Sequence, residues 1–209
     1  RVCQRRGALR THGPMKVLVV GSGAREHALA WKIRSSPVVK ELYCAPGNVG
    51  MAKIADRVPI DPSSIVELAD FAEKIRIDLT VVGPELPLTL GIADEFQKRD
   101  LPIFGATRAA AEIESSKAFA KEFMKKHKIP SARFDVSMSA GETRALLKKR
   151  KDDFPLVFKA DGLAGGKGVL IARDKKEAEQ AIEMIQVERR FGVAGDRLVI
   201  EEFLEGHEA

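Results

Sequence analysis

The clearest chemical signal in the sequence is a glycine-rich stretch, KADGLAGGKGV, at positions 159–169. It lies between two short apolar runs, residues 155–158 and 169–172, so the pattern predicts two strands joined by a flexible loop. Glycines let backbone N–H groups approach phosphate oxygens and lysines supply compact positive charge, so this loop suits a polyphosphate. Its candidate phosphate-binding residues are Lys159, Gly162, Gly165, Gly166, Lys167 and Gly168.

The spacing differs from that of a Walker P-loop, because a strand and not a helix follows the second lysine. An ordinary glycine-rich hairpin with solvated lysines therefore remains the alternative interpretation of this stretch.

A second signal is the segment LVIEEFLEGHE at 198–208, where an apolar strand runs into an acidic turn. Main-chain groups at such a strand end can hold an adenine ring, while a carboxylate binds ribose hydroxyls. Together with the glycine loop, and in this order, the segment resembles the ATP-grasp ligases. The upstream SSKAF at 115–119 strengthens the resemblance, because that family usually carries another phosphate lysine there.

The composition bounds the fold and excludes several classes of protein. A chain of 209 residues that is 44% hydrophobic can bury one or two cores. The net charge of +5 is misleading, because four arginines lie within residues 1–14, which contain no acid. Without them 31 basic residues face 30 acidic ones, so nothing indicates nucleic-acid binding.

Two cysteines make no disulfide framework, which fits a reducing compartment and a cytoplasmic location. No apolar run is long enough to cross a membrane, so no membrane association is expected. Residues 1–14 lack the apolar run of a secretory signal. We interpret them as an upstream extension or a cloning remnant, in preference to a targeting peptide, and expect them to be disordered.

Strands alternate with helices before residue 115, which predicts a doubly wound parallel sheet of the Rossmann-like α/β class. The predicted elements are strands at 16–20, 41–45, 78–82 and 102–104 and helices at 25–35, 63–75 and 88–99.

After residue 116 the rhythm changes to that of an α+β unit. The predicted elements there are helices at 116–127, 140–149 and 175–188 and strands at 132–135, 155–158, 169–172 and from 198. We therefore expect a Rossmann-like domain over 15–115 and a partial ATP-grasp domain over 116–209.

The first domain has its own candidate phosphate site, GSGAREHA at 21–28, directly after the first strand. The N–H groups and dipole of a helix that begins there attract an anion. A dinucleotide site would need a third glycine where Glu26 stands, and an acid at the end of the second strand, where the sequence is CAPGN. A monophosphate is therefore the better expectation, and a structural glycine turn is the alternative.

Two further loops, APGN at 45–48 and VGPE at 82–85, follow predicted strands at the sheet edge where open α/β sheets bind ligands. Glu85 could accept sugar hydroxyls there, or it could be a solvent-facing turn residue. Three candidate loops at one edge favour a sugar-phosphate site.

The ordered motifs, taken together, make the resemblance specific. GSGAREHALA, APGN, VGPE, SKAF, KADGLAGGKGV and EEFLEGHE follow one another as in the glycinamide ribonucleotide synthetase family of ATP-grasp ligases. The resemblance runs from Met15 to Ala209. It implies a ligase that forms a carbon–nitrogen bond in purine biosynthesis, joining glycine to 5-phosphoribosylamine with ATP through a glycyl phosphate.

The resemblance also implies roles for particular residues. Lys117, Lys159 and Lys167 correspond to catalytic, phosphate-binding lysines. Further ATP-binding positions are Gly162, Gly165, Gly166, Gly168, Glu201, Glu202, Phe203, Leu204 and Glu208. Positions facing phosphoribosylamine are Gly21, Gly23, Arg25, Glu26, His27, Gly47, Asn48, Gly83, Pro84 and Glu85.

The family uses Mg²⁺ or Mn²⁺, whose ligands come from a later subdomain. We therefore assign no metal residue and expect those ligands beyond Ala209, in a full-length monomer or weak dimer of which this chain alone would be inactive. The alternatives are another ATP-grasp ligase or carboxylase of purine synthesis, a non-catalytic nucleotide-binding module and, disfavoured by Glu26, a nicotinamide-dependent oxidoreductase.

Overall fold

The structure is a computed structural model that describes residues 13–150, 153–162 and 167–207. The contacts divide the chain into two units, the first ending at Ala111 and the second beginning at Glu112. Apart from its last two positions, the leader expected over residues 1–14 lies outside the described residues. Among the helices of the described part, none has the length and apolar character needed to cross a bilayer.

A five-stranded, fully parallel sheet forms the centre of the first unit, with the strand order β3-β2-β1-β4-β5. Its strands are β1 (Met15–Gly21), β2 (Val39–Pro46), β3 (Asp56–Arg57), β4 (Leu79–Val82) and β5 (Ile103–Phe104). The strand order reverses at β1, so the carboxyl ends of β1 and β4 form the switch point at which such sheets bind ligands. This confirms the predicted doubly wound class.

Strand β1 is central because its apolar run is buried on both faces. Leu18 and Val20 belong to one hydrophobic cluster with residues of the helices at Ile65–Ile75 and Ile92–Lys98, whereas Val17 and Val19 belong to a second cluster with Ala30. The helices of this part are α1 (Ala24–Arg34), α2 (Ile65–Ile75), α3 (Glu85–Leu90), α4 (Ile92–Lys98) and α5 (Arg108–Ser115).

Two expectations for the first unit need correction. The helix predicted over 88–99 is two helices, α3 and α4, because Gly91 adopts a left-handed conformation with φ 92° and ends α3. The short strand β3 and helix α5 were not predicted, since a two-residue strand has no detectable periodicity.

A four-stranded antiparallel sheet with the order β6-β9-β7-β8 forms the second unit. Its strands are β6 (Phe134–Ser137), β7 (Leu156–Ala160), β8 (Val169–Ala172) and β9 (Leu198–Glu202). Its helices are α6 (Lys117–Lys126), α7 (Ala140–Arg150) and α8 (Lys175–Ile182), the last continued by a π-helical turn at Glu183–Val187.

Strand alternation sends two sets of side chains to opposite faces of this sheet. Leu156, Phe158 and Ile200 enter the core beneath α8. Lys159 of β7 pairs with Val199 of β9, so Lys159 and Glu201 are diagonal neighbours on the other face. The register thus places a lysine beside a carboxylate on the face that α6 also contacts through Lys121.

Candidate functional site

Three loops meet at the carboxyl edge of the parallel sheet, as the sequence predicted. The Asn48 side chain donates to the Ser22 carbonyl at 2.9 Å, and Gly47 N donates to the Gly21 carbonyl at 3.3 Å. Gly83 N donates to the Val20 carbonyl at 3.1 Å. The loops after β1, β2 and β4 are therefore hydrogen-bonded into a single rim at the switch point, which we call the loop rim (residues 21–27, 46–50 and 83–85).

Glu26 is the buried centre of the loop rim. Its carboxylate accepts a hydrogen bond from Gly23 N at 2.7 Å, and the residue is only 5% exposed. A Cβ at Gly83 would lie 2.3 Å from Glu26 Cγ, and one at Gly21 would lie 2.5 Å from it. The two glycines therefore make room for the Glu26 side chain, which caps α1 from its third residue.

This packing gives Glu26 a role that the sequence prediction did not include. It was expected to face the substrate, but its carboxylate satisfies the helix N–H that a pyrophosphate would use. A dinucleotide would therefore meet a buried negative charge at that point. The contact counts against the nicotinamide interpretation, and it also makes Gly23 N unavailable to a monophosphate.

Arg25 and Glu85 form an ion pair across the loop rim, with Arg25 Nη1 3.0 Å from Glu85 Oε1. The pKa of Glu85 lies below its usual value, because its own main-chain N–H and the Arg25 guanidinium both stabilise the carboxylate. Both side chains are substantially exposed, so a ligand with hydroxyl or phosphate groups can reach them. His27 packs against Gly50, where an added Cβ would lie 2.5 Å from His27 Cε1.

In the second unit, Asp161 of the KADG motif holds the beginning of α6. Its carboxylate accepts hydrogen bonds from the Ser116 hydroxyl and from Ala118 N, each at 3.1 Å, and Arg197 lies 3.2 Å away. Ser116 in turn caps the helix by accepting from Phe119 N. Lys117 follows this cap and donates to the Gly162 carbonyl at 2.8 Å. The SSKAF and KADG motifs are thus joined by these hydrogen bonds into one local structure.

Lys159 contacts a buried carboxylate. Its Nζ lies 2.8 Å from Glu201 Oε2, and Lys121 Nζ lies 3.1 Å from the same oxygen. The other oxygen, Glu201 Oε1, is buried and has no hydrogen-bond partner among the described residues. An unsatisfied buried carboxylate oxygen is unfavourable in free energy, so Glu201 Oε1 is an acceptor that can take a further donor.

The remaining predicted nucleotide residues fall into two groups. Lys167 is exposed, and the Gly168 carbonyl accepts from Ala160 N at 2.8 Å where the loop returns to the sheet. Gly165, Gly166 and Glu208 lie outside the described residues.

At the end of β9, Phe203 and Leu204 are exposed. The Glu202 carboxylate is held by Arg133, whose main-chain N–H and then guanidinium lower its pKa. That carboxylate is therefore occupied by the protein itself.

The described residues suit a nucleotide phosphate better than a metal. Lys117 and Lys159 project from α6 and β7, which the Asp161 contact ties together. Among residues 13–150, 153–162 and 167–207, no cluster of three or more His, Cys, Asp or Glu side chains could hold a metal ion. No step that involves Mg²⁺ or Mn²⁺ can therefore be assigned to these residues.

Three contributors were missed from sequence: Asp161, Lys121 and the carboxylate of Glu201. Asp161 belongs to the KADG motif, two residues after Lys159, and this position was the available sequence signal. Lys121 lies one helical turn after Lys117, which is the spacing of residues on one face. Glu201 had been assigned only a main-chain role, whereas its carboxylate pairs with both lysines.

Comparison with known proteins identifies the class and then the family. Residues 15–114 match the family model described as phosphoribosylglycinamide synthetase, N domain, and residues 115–209 match phosphoribosylglycinamide synthetase, ATP-grasp (A) domain. The second unit is therefore part of an ATP-grasp domain. Because both halves match one family in the expected order, the chain belongs to the phosphoribosylglycinamide synthetase family, which confirms the resemblance.

Individual relatives agree with this assignment. Phosphoribosylamine–glycine ligase of Ralstonia nicotianae is 53% identical over 197 residues, which is 93% of this chain and 46% of that protein. The crystal structure of phosphoribosylamine–glycine ligase from Thermotoga maritima matches with a TM-score of 0.72 and 35% identity, over 92% of this chain and 45% of that one. The chain thus spans under half the length of these relatives.

A third solved structure shares the fold at much lower sequence identity. N5-carboxyaminoimidazole ribonucleotide synthetase from Thermus thermophilus has a TM-score of 0.67 over 90% of this chain and 47% of that one, but only 19% identity. This likeness shows a shared fold and nothing about the substrate.

We predict that Gly83 and Glu26 are energetically coupled. Gly83→Ala should destabilise the first unit by about 1–3 kcal/mol through its clash with Glu26 Cγ, and Glu26→Ala by about 1 kcal/mol through the lost bond to Gly23 N. The double variant removes the clash, so its cost should be smaller than the sum by about 1 kcal/mol or more. Urea unfolding of the four proteins measures the coupling, and strictly additive costs would contradict it.

The matched control is Gly141→Ala in α7. An added Cβ there meets nothing within 4 Å, so this change should leave the stability unchanged or slightly raised.

We also predict a pH dependence for the Arg25–Glu85 pair. Because the folded-state pKa of Glu85 is lowered, the stability it contributes is present above the ordinary value of 4.5 and is lost as the pH falls through the folded-state pKa. Unfolding should therefore distinguish wild type from Glu85→Gln at pH 7, and the difference should shrink towards pH 3. A difference that stayed constant across this range would show that the pair contributes nothing.

Proposed function

We propose that the protein containing this chain ligates glycine to 5-phosphoribosylamine, giving glycinamide ribonucleotide, ADP and phosphate in purine biosynthesis. The observation that carries the proposal is the match of two consecutive segments, together residues 15–209, to two domains of one synthetase family. The names of the relatives in Ralstonia and Thermotoga support the same activity. The loop rim and the Lys117–Lys159 region supply chemically suitable binding groups.

In this proposal the loop rim binds phosphoribosylamine. The backbone of the Gly21, Gly23 and Gly47 turns lets the phosphate approach closely, and the Arg25–Glu85 pair contacts phosphate and ribose hydroxyls. Asn48 fixes the relative position of two of these loops through its bonds to the Ser22 carbonyl and Met51 N. Gly83 and Pro84 shape the third loop, and His27 borders the second.

The second unit binds ATP in the same proposal. Lys117 and Lys159 bind its phosphates together with the glycines of the segment 162–168, and the segment from Glu201 to Leu204 receives the adenine. The reaction nucleophiles, the glycine carboxylate and the phosphoribosylamine amine, belong to the substrates. The contribution of this chain is therefore orientation and charge neutralisation, together with exclusion of water from the activated glycine.

ATP is the nucleotide we propose, with Mg²⁺ or Mn²⁺ as the family's accompanying ion. We also propose a cytoplasmic location. Cys44 supports it, because this buried thiol is free, and burial raises its pKa to about 11, which keeps it unreactive.

The proposal predicts ADP release that requires both glycine and phosphoribosylamine. We would assay the complete gene product with a coupled ADP assay, omitting each substrate in turn. ADP release that depends on bicarbonate in place of glycine would instead assign an ATP-grasp carboxylase, which is compatible with the same fold. Nucleotide binding with no turnover on either set would assign a non-catalytic module.

Lys159→Ala should impair the use of ATP far more than that of phosphoribosylamine. Losing a lysine–phosphate contact in a partly closed site should cost about 2–4 kcal/mol of transition-state stabilisation, or about 30- to 1,000-fold in kcat/KM for ATP. Steady-state kinetics of the complete gene product measure this, with the exposed Lys126→Ala on α6 as control. A kcat/KM for ATP near that of wild type would make Lys159 a structural partner of Glu201 only.

A further inference from the structure

Two lysine side chains contact the single buried carboxylate of Glu201, one more than is needed to neutralise its charge. Glu201 is 4% exposed, and a single oxygen, Oε2, contacts both Lys159 Nζ and Lys121 Nζ. One close lysine would already pair with this carboxylate, so the second needs a reason.

The two lysines differ in how firmly they are held. The Lys121 side chain is 11% exposed, and its Nζ also donates to the Ser131 hydroxyl at 2.7 Å and lies 3.5 Å from the Ala132 carbonyl. The Lys159 side chain is 26% exposed, and Glu201 is its one side-chain partner among the described residues. Lys121 is therefore anchored, whereas Lys159 can exchange its partner.

Lys159 faces a conflict that the proposed function creates. A phosphate oxygen bound by Lys159 would compete with Glu201 for the same ammonium charge. If Lys159 were the sole partner, its departure would leave a buried, unpaired carboxylate, and breaking a buried ion pair in this way is strongly unfavourable. The carboxylate would then hold Lys159 back from the nucleotide.

We propose that Lys121 is a positioning residue that keeps Glu201 neutralised, so that Lys159 is free to bind the nucleotide phosphate. The inference rests on the proposed function only in taking Lys159 as a phosphate ligand. The two α6 lysines then have different partners: Lys117 donates to the Gly162 carbonyl, and Lys121, one turn later, contacts Glu201. Lys121 thereby affects nucleotide affinity without touching the nucleotide.

The test is nucleotide affinity in the complete gene product, measured by calorimetry with a non-hydrolysable ATP analogue. Lys121→Met should raise the dissociation constant at least about tenfold, because Lys159 becomes the sole partner of Glu201. Lys121→Arg, which keeps the charge, should stay within about threefold of wild type. The exposed Lys126→Met on the same helix is the matched control and should change nothing. In kinetics, the KM for ATP should rise in Lys121→Met while kcat at saturating ATP is largely retained.

Glu201→Gln separates this role from simple structural damage. Without the buried charge Lys159 is released, so adding Lys121→Met to Glu201→Gln should alter the dissociation constant by less than about threefold. A tenfold loss in both backgrounds, or no loss in either, would overturn the proposal. If thermal unfolding shows that Lys121→Met does not fold, Lys121→Gln replaces it, since its amide can still contact Ser131.

The binding measurements need neither glycine nor phosphoribosylamine. An inactive wild-type protein that still binds the analogue would therefore defeat the proposed ligase function while leaving this comparison decisive.

Discussion

The second unit depends on two buried carboxylates that fix its lysines. Asp161 accepts hydrogen bonds from the Ser116 hydroxyl and from Ala118 N, and so fixes the start of α6, where Lys117 lies. Glu201 contacts both Lys121 and Lys159 through one carboxylate oxygen. Burying a carboxylate is unfavourable unless it is paired, so each of these acids requires its partners to be in place. The contacts of these two acids thus fix where Lys117 lies and hold Lys121 and Lys159 close together at one face of the sheet.

The first unit also contains a buried carboxylate, that of Glu26, but this one occupies a main-chain N–H group and not a lysine. Glu26 places its carboxylate on Gly23 N and fills the space above Gly21 and Gly83. A helix N-terminus that would attract a pyrophosphate is thereby partly neutralised by the protein itself. Arg25 adds a positive charge at the same rim, where it pairs with Glu85.

Sequence alone predicted the classes of both sheets and the segments that carry the motifs, because long apolar runs and glycine-rich turns have strong local signals. It did not predict the break at Gly91, which depends on one left-handed residue, nor the two-residue strand β3. It placed Lys159 at the end of one strand and Glu201 on another but could not show that they meet. That contact follows from the pairing of Lys159 with Val199, and antiparallel register is set by long-range packing.

The distinction between related ligases lies in loops and not in the fold. A carboxyaminoimidazole ribonucleotide synthetase shares this fold at 19% identity, so strand order and sheet packing are compatible with more than one substrate. What separates the families must be the side chains that the common scaffold presents. In this chain the scaffold presents Glu26, Arg25 and Glu85 at the rim, beside glycines that tolerate close packing. The buried Glu26 side chain leaves no room for a Cβ at Gly21 or Gly83, so the packing of the rim restricts both positions to glycine.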